Sequence, residues 1–121
     1  MEESEKPDMP MTVFFIDDES VLCDCFADEF SDPGITVKTF SDPKLALAEI
    51  LKNPPDLIFL DYRMPGVTGE ELATQMPSEI PKFLVTGELN MKTTFPFTAI
   101  LKKPFEYEAI RAILDKKKSA A

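Results

Sequence analysis

The chain has 121 residues, a hydrophobic content of 44% and a formal net charge of -9, with no histidine. That length suits one domain whose core needs no disulfide or metal staple. The acidic balance argues against nucleic acid as a partner, and the missing histidine excludes Ser-His-Asp and Cys-His nucleophiles and His-ligated zinc.

No apolar run approaches the roughly 20 residues a membrane helix needs, and the acidic N-terminus is wrong for a signal peptide, so a soluble cytoplasmic protein with no membrane partner is expected. Residues 1–10 carry Glu2, Glu3, Glu5 and Asp8 against Lys6 alone. They read as a disordered leader. Thr12 to Ile16 is the first expected strand. A helix follows from Glu19 to Phe30, with Leu22, Cys25, Phe26 and Phe30 on its apolar face, closed by Asp32-Pro33-Gly34. Cys23 and Cys25 lie two apart in that helix and point to nearly opposite sides, so they read as reduced thiols with no mutual disulfide.

Ile35 to Phe40 is rich in β-branched residues and is expected as the second strand. Ser41-Asp42-Pro43 offers a cap and a proline to start a helix whose apolar face is Leu47, Ile50 and Leu51, and Asn53-Pro54-Pro55 ends it. Asp56 to Leu60 reads as a strand buried on both faces, delivering Asp61 to its end before Pro65-Gly66 turns the chain. A short helix from about Thr68 to Met76 would bury Leu72, Ala73 and Met76. Phe83 to Val85 is the fourth strand, ending in Thr86-Gly87. Glu88 to Thr98 is poor in helix formers and reads as one turn or an irregular crossover. Ala99 to Lys102 is the fifth strand. The last helix runs from Phe105 to about Lys117, burying Tyr107, Ile110 and Leu114, with lysines 116 to 118 as a solvated end.

Strands alternating with helices imply a parallel sheet with right-handed crossovers and helices on both faces. The C-terminal ends of parallel strands share one edge, where open α/β sheets bind ligands. That edge would carry Asp17, Asp18, Asp61, Thr86 and Lys103. An aspartate between a strand and a helix is often only an N-cap, so Asp17 or Asp18 alone says little. Three carboxylates in one cleft say more: two unit charges about 4 Å apart repel by about 4 kcal/mol at an effective dielectric near 20, so the cluster must raise a pKa or bind a cation. A hard divalent ion, Mg2+ or Mn2+, fits an all-oxygen donor set. A carboxylate can itself attack phosphorus, and a metal, an ammonium and a hydroxyl can neutralise the transferred group. Asp61 is the best-placed nucleophile, with Lys103 and Thr86 beside it.

In this combination the chain resembles the receiver domain of two-component response regulators, through Asp17-Asp18, the block LDYRMPG around Asp61, Thr86, and Lys103-Pro104-Phe105. The resemblance spans Met11 to Lys117, giving a receiver over 11–118 and a tail over 119–121. It implies a flavodoxin-like fold with sheet order 2-1-3-4-5, a cis Lys103-Pro104 bond, and Mg2+-dependent phosphorylation of Asp61 by a histidine kinase, phosphotransfer protein or small phosphodonor. It further implies direct metal ligands from Asp18, Asp61 and the backbone carbonyl of Arg63, with Asp17 acting through water. Arg63 and Glu88 occupy the positions where such domains tune dephosphorylation.

Two features depart from the family pattern. Receivers commonly place Tyr or Phe three residues before the lysine, where this chain has Ile100, so the Thr86 half of the usual switch lacks its aromatic partner. The segment between Thr86 and Lys103 is short for a full fourth helix, and Phe95 or Phe97 is a candidate substitute wedge. These departures keep open a degenerate receiver that binds or dimerises without phosphorylation-dependent switching. A phosphohydrolase of the haloacid dehalogenase type is a third reading, disfavoured because that family uses Asp-x-Asp on its first strand. Stand-alone regulator or piece of a longer protein, and the identity of kinase and target, stay open.

Overall fold

The computed structural model describes residues 10–120, so the expected leader lies outside the described residues except for Pro10. In chain order the elements are β1 (Met11–Ile16), α1 (Ser20–Phe30), β2 (Ile35–Phe40), α2 (Pro43–Lys52), β3 (Leu57–Asp61), β4 (Arg63–Met64), β5 (Val67–Thr68), α3 (Gly69–Ala73), β6 (Lys82–Thr86), β7 (Ala99–Lys102) and α4 (Tyr107–Ala120). Strands β4 and β5 form a small antiparallel hairpin. The other five make one parallel sheet in the order β2-β1-β3-β6-β7. Setting the hairpin aside, this is the expected 2-1-3-4-5 arrangement.

Alternation along the strands assigns each side chain to one of two cores. Val13, Phe15, Leu57, Phe59, Phe83 and Val85 pack beneath Cys23, Phe26 and Phe30 of α1 and Ile110 and Leu114 of α4. Phe14, Ile16, Ile58, Leu60 and Leu84 pack on the opposite face beneath α2 and α3. The central strand β3 is buried at all five positions, which is why its sequence is an unbroken apolar run. Phe26 is the hub of the first core: it stacks on Phe15 with centroids 4.3 Å apart and meets Phe30, Phe59 and Phe105 at 4.8, 5.3 and 5.6 Å. Truncating it (Phe26→Ala) is expected to cost about 3–5 kcal/mol, read as a lower urea midpoint. A loss under about 1 kcal/mol would contradict this packing.

Several sequence expectations need correction. In α1 the inward row is Cys23, Phe26 and Phe30, and Cys25 is exposed. Spacings of three and four fix that row, and Cys25 lies most of a half-turn from Cys23. Leu51 is 59% exposed, because the buried row of α2 is Pro43, Ala46 and Ile50. Tyr107 is also not buried, at 42% exposure, although its ring stacks on Phe30 at 5.1 Å. The third helix ends at Ala73. Gln75 and Met76 then donate to Leu72 and Ala73 in tight i to i-3 turns, as expected where Pro77 disfavours helix at the residue before it. Leu72, Ala73 and Met76 are buried as expected.

Asp42 caps α2 as expected, accepting the Lys44 N–H at 2.9 Å, and the structure adds a reciprocal capping box of Thr68 and Glu71 on α3. No helix lies between Thr86 and Ala99 among the described residues, and Asn90 there adopts a left-handed φ of 55°. Among the described residues no helix is long and apolar enough to cross a membrane.

Candidate functional site

The site is built by extending the sheet ladders past the strands. The Asp17 N–H donates to Phe40 O at 3.0 Å, continuing β1 along β2, and the Lys103 N–H donates to Thr86 O at 2.9 Å, continuing β7 along β6. Asp17, Asp61 and Lys103 each fall on the odd-numbered row that carries Phe15, Phe59 and Leu101. Period two therefore brings three residues distant in sequence to the end of one row. The Lys103-Pro104 bond is cis, as expected.

The three side chains meet. Lys103 Nζ lies 2.9 Å from Asp17 Oδ2 and 3.3 Å from Asp61 Oδ1. Asp17 is fully buried, and its Oδ1 accepts the Glu19 N–H at 2.9 Å at the start of α1. Its Oδ2 makes no hydrogen bond of good angle among the described residues and is held by the ammonium. Asp61 Oδ1 also accepts the Tyr62 N–H at 2.9 Å. Oxygens of Asp17, Asp18 and Asp61 all lie within 4.8 Å of one another. Asp18 is exposed and looks into a cavity of about 350 Å3 bordered also by Asp61, Arg63, Thr86, Glu88 and Lys103.

Burial, and next the charge of Asp17, push the Asp61 carboxyl above its ordinary pKa, against the pull of Lys103. For Lys103 burial works against the charged form, yet Asp17 and Asp61 outweigh it and the ammonium is held above its ordinary pKa. The cluster thus keeps an ammonium among carboxylates and leaves an excess of negative charge.

Thr86 is buried, and its Oγ1 accepts the Glu88 N–H at 3.1 Å. The Glu88 carboxylate pairs with Arg63 Nε at the cavity rim. Ile100 is 44% exposed on the edge strand, on the face opposite the carboxylate row. Phe95 and Phe97 pack on the second core with their rings 4.7 Å apart.

Sequence reasoning missed one neighbour of the site, Glu19, and two polar links away from it, at Lys82 and Glu70. Glu19 Oε1 sits 3.9 Å from Lys103, a neighbour that adjacency to Asp17-Asp18 could have flagged. Lys82 is buried, its ammonium donating to the carbonyls of Pro77 and Ile80 at 2.6 and 2.8 Å, and burial lowers its pKa. Glu70 of α3 accepts hydrogen bonds from the hydroxyls of Thr93 and Thr94, a link across 23 and 24 residues that no local pattern announces.

With this geometry in hand, the sequence from residue 13 to 115 matches the response regulator receiver domain family. The chain belongs to that family.

Among curated relatives, the receiver is 36% identical over 90 residues to the cyclic di-GMP phosphodiesterase response regulator RpfG of Xanthomonas campestris pv. campestris, covering 69% of this chain and 24% of that protein. Among solved structures it is similar to the chemotaxis response regulator CheY4 of Vibrio cholerae, at 28% identity and TM-score 0.74, over 90% of this chain and 99% of that one. It is also similar to NtrX of Brucella abortus, at 25% identity and TM-score 0.79, over 93% of this chain and 28% of that one. The receiver spans about a quarter to a third of the length of the first curated relatives it matches, at 24%, 26% and 35%. It is therefore a signalling domain of the two-component type, its described residues giving five parallel strands and four helices in a flavodoxin-like arrangement.

Proposed function

We propose that this receiver accepts a phosphoryl group on Asp61 in an Mg2+-dependent reaction, from a histidine kinase, a phosphotransfer protein or a small acyl phosphate, and later hydrolyses it. The observation that carries the reading is the Lys103 ammonium set between Asp17 and Asp61, at 2.9 and 3.3 Å, beside an open cavity. A carboxylate oxygen of Asp61 attacks phosphorus, the bond from phosphorus to the donor's nitrogen or oxygen breaks, and an acyl phosphate forms. Lys103 holds positive charge where the equatorial oxygens arrive, and the Thr86 hydroxyl donates to one of them.

The donor set fits a hard divalent ion: three carboxylates offer oxygens within 4.8 Å, and one ammonium does not balance them. Asp18, Asp61 and the backbone carbonyl of Arg63 would hold Mg2+ or Mn2+ directly, with Asp17 reaching it through water. The bound ion supplies charge neutralisation for the transferred group. Arg63 and Glu88 face the same cavity and would set the hydrolysis rate by orienting or repelling water. The domain would work in the cytoplasm and signal through an output domain or a separate protein target, without touching nucleic acid itself.

The test is incubation with acetyl phosphate and Mg2+, followed by mapping of the hydroxylamine-labile label. Label in the Asp61 peptide supports the reading, and no label, or label elsewhere, ends it. A Lys103→Gln variant is expected to be labelled at least about a hundredfold more slowly, the scale of losing one charge-stabilising group. Unchanged labelling would remove Lys103 from the chemistry. A degenerate receiver remains a second reading, favoured by the half-exposed Ile100 and by the absence of a helix between Thr86 and Ala99 among the described residues. It predicts Mg2+-dependent labelling that leaves partner affinity unchanged, or none.

A further inference from the structure

Two hollows flank the hairpin of β4 and β5, and neither is bordered by Asp17, Asp18, Asp61, Thr86 or Lys103. One, of about 520 Å3, lies between the start of α2 and α3 and is walled by Pro43, Leu47, Pro65, Val67 and Leu72. The other, of about 700 Å3, is bordered by Tyr62, Thr68, Glu70, Glu71 and Thr74. Gly66, Val67 and Gln75 border both, so the hairpin tip is the ridge between two lobes of one surface. Gly66 stands clear there at a φ of 82°, with nothing within 4 Å of where a Cβ would be. Among the described residues, the charged side chains bordering the two lobes are Asp42, Glu70 and Glu71 against Lys44 alone. Glu70 is stapled to Thr93 and Thr94, and Glu71 closes the capping box through Oε1, so both carboxylates are held in place with their charge intact.

We propose that this double hollow docks a basic amphipathic helix of a partner protein, its apolar ridge in the lobe walled by Leu47, Val67 and Leu72 and its Lys or Arg flank along Glu70 and Glu71. The apolar lobe has the volume of an ordinary binding pocket, which runs from about 300 to about 1,000 Å3, and burying apolar side chains in it supplies the affinity. The carboxylates of the second lobe choose the partner. Three acids against one ammonium attract a cationic flank and repel an acidic segment, a nucleic acid or an anionic lipid headgroup. A helix sets an apolar ridge beside a charged flank through spacings of three and four, the pairing that the two lobes require. A compact small molecule would fill one lobe and leave the carboxylates of the other unmet. Because the surface shares no residue with the Asp61 cluster, docking here stands whether or not Asp61 is the phosphoacceptor.

The probe is a short blocked helical peptide with leucine and phenylalanine one turn apart and lysines beside them, and its control carries glutamates in place of the lysines. Titrated into the full chain with labelled methyl groups, the lysine peptide is expected to shift the Leu47, Val67 and Leu72 methyl resonances to saturation. It should bind at least about tenfold more tightly than the glutamate peptide at low salt, a gap that closes as salt rises. Glu71→Gln keeps the capping box, which accepts glutamine at that position, and removes one charge. It should loosen the lysine peptide by about threefold, the scale of one screened ion pair. Val67→Thr sets a hydroxyl in the apolar wall at nearly constant shape and should loosen the same peptide by about fivefold. Equal binding of the two peptides, saturable shifts centred on other methyl groups, or no saturable shifts would each overturn the proposal. So would undiminished binding of the lysine peptide to both variants.

Discussion

Replacing Asp61 by asparagine is expected to abolish acyl phosphate formation and, at the same time, to make the ligand-free domain more stable near neutral pH. The acyl phosphate needs a carboxylate oxygen, and the substituted side chain would offer only an amide. The stability gain follows from the direction in which the native state pushes the carboxyl. Burial first, then Asp17, raise the Asp61 pKa, with Lys103 pulling the other way. A carboxyl whose folded pKa lies above its unfolded value near 3.9 favours folding below that value, and the contribution is lost as pH rises through the folded pKa. At pH 7 the ionised Asp61 is therefore a cost that the amide does not carry. The variant should melt at a higher temperature than the parent there, and the gain should vanish below about pH 4, where Asp61 is protonated in both states.

Mg2+ should reverse the ranking. An ion bound only by the native state stabilises it by about 2.7 kcal/mol at a hundredfold excess over its Kd. The wild type would gain this, and the asparagine variant, lacking one of three carboxylates, would gain much less. Equal melting shifts with Mg2+ in the two proteins would show that Asp61 is not part of the cation site.

The same row of carboxylates shows how far the sequence could be read. Strand ends at Asp17, Asp61 and Lys103 follow from apolar runs and breakers, and period two sets all three on one side of the sheet, so their meeting at 2.9 and 3.3 Å was legible. The helix-poor crossover was legible too, from Asn90, Thr93, Thr94 and Pro96. Which residue of α1 faces inward was not, because Leu22, Cys23, Cys25 and Phe26 offer two overlapping apolar rows and only the sheet decides between them. Lys82 escaped notice because a lysine beside a proline reads as a strand flank. Its burial depends on the carbonyls of Pro77 and Ile80 curling back to accept its protons. The Glu70 staple joins residues far apart through side chains alone, and a chain read in windows has no signal for that.

Gly69→Ala should damage both the fold and the site, although alanine is the better helix former. Gly69 opens α3 under the Thr68 cap, and its N–H donates to Tyr62 O at 2.7 Å. This bond draws the start of the helix against the end of β3. A Cβ at position 69 would stand 2.3 Å from the backbone oxygen of Asp61 and 3.0 Å from Leu84 Cδ1. The first neighbour is backbone at the end of a central strand, where Asp61 is paired with Val85 of β6, so it cannot turn away as a side-chain tip would. Helix propensity favours alanine by about 1 kcal/mol at most, and less at a first-turn position, whereas overpacking a core typically costs about 1–3 kcal/mol. The clash wins, and a net loss of about 1–2 kcal/mol is expected in urea denaturation. The more telling readout is local. Relief of the contact must push α3 away or shift the Asp61 carbonyl, and the carboxylate rides on that same residue. Mg2+ affinity should therefore fall in Gly69→Ala even at temperatures where the variant is fully folded. A variant as stable as the parent with undiminished Mg2+ binding would mean that α3 does not press on the phosphoacceptor strand.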